Sequence, residues 1–131
     1  MKPVPLSIRL SQSFDTAPGD TADALGNAGV GAVSSVALIL HVEAACYALV
    51  LPYYDPGELT VGTRFALDHV APAVPGRPVE VAAEVSSVEG RRVSFAVRVA
   101  QDGRVVMEGE HQRAFVAAER FANGAVAEES S

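Results

Sequence analysis

The sequence offers few of the devices that would fasten it from outside its core. A single cysteine, Cys46, occurs in 131 residues, which excludes an internal disulfide framework. Basic residues are scarce: 10 Lys and Arg stand against 16 acidic residues, a formal net charge of −6. Such a chain presents no positive field to a phosphate backbone or an anionic bilayer, so nucleic acid is not expected as a partner. Met1-Lys2-Pro3 is not followed by an apolar signal-peptide core, and the cytoplasm is the expected location. The longest apolar run, VALILHVEAACYALVL at 36–51, is broken by His41 and Glu43 and bounded by Pro52. It falls short of the about 20 apolar residues that a spanning helix needs, so no membrane is expected. His41, His69 and His111 lack close ligand spacing, so no metal site and no cofactor is expected.

What the chain does have is enough apolar material for a core, with 49% hydrophobic and 20% charged residues. Its length fits one domain, expected over 1–131 with a core at about 4–118 and a flexible acidic tail at 119–131. Residues 4–15 alternate loosely and predict a first strand. Residues 17–33, rich in Gly, Ala and Asp, follow neither regular period and predict a loop. GNAGVG at 26–31 has the glycines of a phosphate-binding turn, but the wrong spacing and no lysine, and is read as a lid or connector. Ser34 and Ser35 are N-cap candidates for a helix over 35–51, which is apolar on nearly every side and so is expected to be surrounded by protein.

After that helix the period changes to two. Thr63, Phe65, Leu67 and His69 are placed on one face of a strand, which turns His69 inward. Val79, Val81, Ala83 and Val85 pair by the same logic with Val93, Phe95, Val97 and Val99 across a turn at Gly90-Arg91-Arg92. Asp102-Gly103 marks a further turn before a last strand whose Met107, His111 and Arg113 share a parity. The pattern predicts an α+β domain, an antiparallel sheet wrapped around one long central helix. The sheet edges left over make a symmetric dimer the expected assembly.

Glu43 is the anomaly. A carboxylate among apolar side chains is disfavoured unless paired, hydrogen-bonded or protonated, and apolar surroundings that favour the protonated form suit a carboxyl group to proton transfer. Pairing with a basic residue at a subunit boundary is the structural alternative. An inward His69 on the sheet that covers the helix would complete an acid–base pair with Glu43. His41 points about 200° away from Glu43 round the helix and is read as structural or interfacial, and Cys46 as a small core residue. Arg91 and Arg92 are read as a solvated turn.

The motifs HVEAAC at 41–46, VGT at 61–63, Asp68-His69 followed by Pro75-Gly76, SVEGRR at 87–92 and GEHQRAF at 109–115 together resemble the fluoroacetyl-CoA thioesterase-like family of hotdog-fold proteins, over about residues 30–121. The resemblance implies a hotdog homodimer with acyl-CoA bound between subunits and no cofactor beyond the CoA of the substrate. It implies Glu43 and His69 as catalytic residues, Gly62 as a backbone N–H donor to the thioester oxygen, and Arg113 as a residue near the substrate. The family's catalytic threonine falls on Ser35, which keeps the hydroxyl and loses the methyl group. Eight residues on one helix span about 12 Å, so Ser35 and Glu43 meet one carbonyl only if the helix begins after Ser35 or they act from opposite subunits. The fluoroacetyl-selective member carries lid phenylalanines where this chain has Gly29, Val30 and Gly31, so hydrolysis of another acyl-CoA is expected. Two other readings keep the ligand and change the chemistry: a hotdog enoyl-CoA hydratase, and a non-catalytic acyl-CoA or small-ligand binding module.

Overall fold

A computed structural model describes residues 1–121. Five strands, β1 (Arg9–Phe14), β2 (Glu58–His69), β3 (Val79–Glu89), β4 (Arg92–Gln101) and β5 (Arg104–Ala117), and one helix, α1 (Ser35–Val50), make up the fold. The strands form one antiparallel sheet in the order β1-β3-β4-β5-β2, and α1 lies across it. The architecture is the expected one of a sheet around one helix. Residues 122–131, most of the expected acidic tail, lie outside the described residues; its first three, 119–121, sit in a helical turn.

The alternation in β3 and β4 is borne out: Val79, Val81, Ala83 and Val85 are buried, as are Val93, Phe95, Val97 and Val99. They pack beneath Leu38, Val42, Ala45, Cys46 and Leu49 of α1 in one cluster. The β4–β5 turn holds Asp102 at φ 51° and Gly103 at φ 79°. Two successive left-handed residues give the turn whose twist matches the flanking strands, which explains Asp-Gly there. The turn at Gly90 is not simply solvated. Arg91 Nε donates to the Phe115 carbonyl at 3.0 Å, and its guanidinium pairs with Glu58.

Two expectations about α1 change. Pro52 does not end the helical path: it sits in the first turn of a 3-10 segment, Leu51–Tyr53, where its missing N–H costs nothing. The stretch Ser35–Tyr53 thereby reaches 19 residues with a mean hydropathy of 1.8, apolar and long enough to cross a membrane by composition alone, but here it is a core helix of the sheet. Nor is it enclosed on all sides, since Val36 and Leu40 are each 60% exposed and Tyr47 is 43% exposed. The sheet covers one face of α1, and the described chain has nothing to cover the other.

The exposed half of α1 lies beside the edge strand β2, which pairs with β5 only. This corrects the reading of β2. A bulge between Gly62 and Arg64 inserts Thr63 and inverts the alternation. Gly62 pairs with Arg113 and Phe65 with His111, both buried partners, so Gly62, Phe65, Leu67 and His69 share the face toward α1 and Thr63 does not. His69 has the expected face without the expected burial, because the outer side of an edge strand has no neighbouring strand to cover it: Phe65, His69 and Val70 are all exposed.

Candidate active site

Two clusters form along the seam between α1 and β2. The first contains Ser35 and His69, whose Oγ and Nδ1 lie 2.7 Å apart. Of the two candidate caps, Ser34 takes the task. It is buried, and its Oγ accepts from the Ala37 N–H at 3.1 Å. That leaves the hydroxyl of Ser35, the first helical residue, free for the imidazole. The pair stands at the mouth of an open cleft of about 390 Å³, whose other wall is the 22–33 loop, including Asn27 and Val30. The loop carries no bulky side chain over the cleft.

The second cluster contains Glu43, Gly62, His111 and Arg113. Arg113 is buried, and every nitrogen of its guanidinium is engaged. Nε donates to Thr60 Oγ1 at 3.0 Å, Nη2 to the Thr60 carbonyl at 3.0 Å, and Nη1 to Glu43 Oε1 at 3.3 Å. Nη1 also lies 3.2 Å from His111 Nε2. Glu43 is therefore not stranded in hydrocarbon; it is 39% exposed and ion-paired within its own chain, which corrects the expectation of burial and places the structural alternative's basic partner on β5. Its Oε2 has no hydrogen bond within the described residues. The carboxylate lies almost on the backbone of Gly62, where a Cβ would come within 3.2 Å of Glu43 Oε1, 3.2 Å of His111 Cε1 and 3.4 Å of Phe65 Cζ. Any side chain there would push the Glu43 carboxylate aside by a few tenths of an ångström, so glycine is favoured by close approach, not by backbone angle.

Within one chain the structure groups Glu43 with Gly62 and Arg113, and His69 with Ser35. It does not bring Glu43 and His69 together. The helix begins at Ser35 itself, so Ser35 and Glu43 are about 12 Å apart along one continuous axis. Of the two routes to a shared carbonyl, the late-starting helix is thus removed. His41 lies on another face, stacked on Phe14 at 4.6 Å, with Nε2 buried and unpartnered; burial lowers its pKa. Cys46 is an inert core residue whose thiol burial pushes up to about 12. His111 has no metal-ligand spacing to mark it in the sequence. Its inward parity with Arg113 two residues later was the available sign of its place here.

The chain is similar to known proteins over most of its length. A family model described as fluoroacetyl-CoA-specific thioesterase matches residues 17–119. The fluoroacetyl-CoA thioesterase of Streptantibioticus cattleyicolor is 40% identical over 80 residues, a match that covers 61% of this chain and 58% of that relative. A solved threonine-to-serine mutant of FlK, in complex with acetyl-CoA, superposes with a TM-score of 0.88 at 30% identity, covering 98% of this chain and 100% of that one. A hot-dog-like protein from Thermanaerovibrio acidaminovorans shares the fold, with a TM-score of 0.87 at 20% identity over 95% of this chain and 92% of its own.

Proposed function

The chain belongs to the fluoroacetyl-CoA-specific thioesterase family, and from that premise we propose that it hydrolyses an acyl-CoA thioester at a site completed between two copies of itself. The observation that carries the proposal is the seating of Glu43: one oxygen anchored by Arg113, the other unengaged, over a glycine at an open strand edge. Thioester hydrolysis needs a nucleophile at the carbonyl carbon, a donor for the developing oxyanion and a group to handle protons. Glu43 Oε2 supplies the first by direct attack or through a water. The Gly62 N–H is the oxyanion donor. The Ser35–His69 pair orients the reacting group and moves the proton, with the serine hydroxyl in the role the family gives to threonine.

Opposite-subunit action is supported by the geometry of β2. If two β2 edges run antiparallel about a two-fold axis near Phe65 and Ala66, Gly62 of one copy lies opposite His69 of the partner subunit. The bulge at Thr63 puts both positions on the helix-side face. The same axis would cover the exposed apolar side chains Val36, Leu40, Phe65 and Val70, which a free protomer would leave in water. CoA belongs to this reading as part of the substrate. With no bulky residue at 29–31 to close the cleft over Ser35 and His69, the acyl group is one larger than fluoroacetyl.

The test is a panel of acyl-CoAs of graded chain length with release of free thiol followed in time. Turnover that disappears in both Glu43→Gln and His69→Ala supports hydrolysis. Enoyl-CoA consumed without thiol release would assign the site to a hydratase, and ligand retained without any turnover would make it a binding module.

A further inference from the structure

Behind Glu43 sits a group to which the proposed chemistry assigns no task. His111 is wholly buried on β5, its ring stacked on Phe65 at 4.3 Å and on Phe95 at 6.1 Å. Its two nitrogens face opposite kinds of partner. Nδ1 lies 3.0 Å from the Arg64 carbonyl, which only accepts, so Nδ1 carries a proton. Nε2 lies 3.2 Å from Arg113 Nη1, which only donates, so Nε2 presents its lone pair. Only the neutral imidazole with Nδ1–H satisfies both contacts.

We propose that His111 is a positioning residue whose Nε2 lone pair takes one hydrogen of Arg113 Nη1, turning the other toward Glu43 Oε1 and leaving Glu43 Oε2 free to act. The last step rests on the thioesterase reading; the tautomer and the hold on Arg113 do not. Arg113 has few other ways to be held. Both of its remaining nitrogens are committed to Thr60, whose Oγ1 is itself engaged by Tyr54. Without an acceptor at His111, one Nη1 hydrogen is buried and unsatisfied, and the guanidinium swings to satisfy it.

The charged and titratable groups facing His111 are few. Arg113 comes from its own strand and Glu43 from α1. From β2 and β4 it meets the Arg64 carbonyl, the Gly62 backbone and the Phe65 and Phe95 rings, none of them charged. An imidazolium there would set two cations 3.2 Å apart. Burial first, then Arg113, pushes the His111 pKa down, against the Arg64 carbonyl.

Long-range ¹⁵N–¹H spectra of the intact labelled protein test the tautomer without reference to activity. We expect a neutral His111 with Nδ1 protonated, still largely neutral at about pH 6.5, where an unperturbed imidazole is half protonated. An Nε2–H tautomer, or an imidazolium at neutral pH, would overturn the proposal. The hold on Arg113 is tested by His111→Phe, which keeps the ring stack and loses both nitrogens, and by His111→Gln, which keeps an acceptor toward Arg113. Thiol release should fall about ten-fold in kcat with little change in KM in the first, and stay within about three-fold of wild type in the second. In an Arg113→Met background, His111→Phe should add no further loss. Equal losses in both single variants, or a full further loss in that background, would reduce His111 to packing. If His111→Phe fails to fold, the spectra decide. A wild-type protein that releases no thiol from any acyl-CoA would sink the thioesterase reading and leave the tautomer to be judged on its own.

Discussion

Mixing two inactive variants should restore activity, and the amount is set by geometry. Ser35 Oγ lies 2.7 Å from His69 Nδ1, while Glu43 sits about 12 Å further along the same helix. Reacting atoms must come within about 3.5 Å of each other, so one carbonyl cannot touch Glu43 and His69 of a single chain. Glu43→Gln removes the nucleophile or base and keeps an acceptor for Arg113 Nη1; His69→Ala removes an exposed side chain. Both variants should fold, and each homodimer should release almost no thiol. After subunit exchange, half of the dimers are mixed. One of their two sites carries both substitutions and the other carries neither, so the mixture should recover about a quarter of wild-type turnover. Light scattering establishes the dimer, and free thiol released from a short acyl-CoA gives the rate. A mixture no more active than its parents, despite exchange verified with a mass tag, would place the whole site within one chain and refute the reasoning.

Other consequences are equally accessible. Ser34→Ala should lose about 1 kcal/mol of helix capping, a melting temperature lower by about 3 to 5 °C, with kcat unchanged, while Ser35→Ala should do the reverse. Gly62→Ala puts a methyl group within 3.2 Å of Glu43 Oε1; kcat should fall about 10- to 100-fold with little thermal destabilisation, because the flexible carboxylate yields before the backbone does. At Gly109 a Cβ would lie 2.0 Å from the Ala66 carbonyl oxygen, so Gly109→Ala should cost about 3 kcal/mol or more in denaturant unfolding by parting β5 from β2. His41 and His111 both have pKa values below the ordinary 6.5, foremost through burial. The folded state then binds fewer protons than the unfolded chain. Stability should be fully present above about pH 6.5 and decline as pH falls below it, and His111→Gln should flatten part of that slope.

Much of this was open to reading in the chain itself. Period-two alternation at Val79–Val85 and Val93–Val99, the Asp-Gly turn and one apolar run long enough for a single helix specify an α+β sheet around a helix, because each pattern has one economical way to bury itself. Glu43, inside that run, had to be paired or functional, and nothing else in the chain stood out as sharply. Which residue paired it was hidden. Arg113 lies 70 positions away, and only the strand order β4-β5-β2 carries it under the helix. His111 was hidden for the same reason, since the Arg64 carbonyl and the Phe65 and Phe95 rings reach it from two other strands, β2 and β4.

The alternation of β2 misled because a bulge leaves no mark on period-two counting. In a regular strand Gly62 and His69, seven residues apart, point to opposite faces; the extra residue Thr63 turns them to the same one. Local patterning thus determined that there would be one helix, one sheet and one misplaced acid. Tertiary structure decided which residues share the open seam, because strand order, a one-residue bulge and the single-sided cover of α1 depend on contacts between segments distant in sequence.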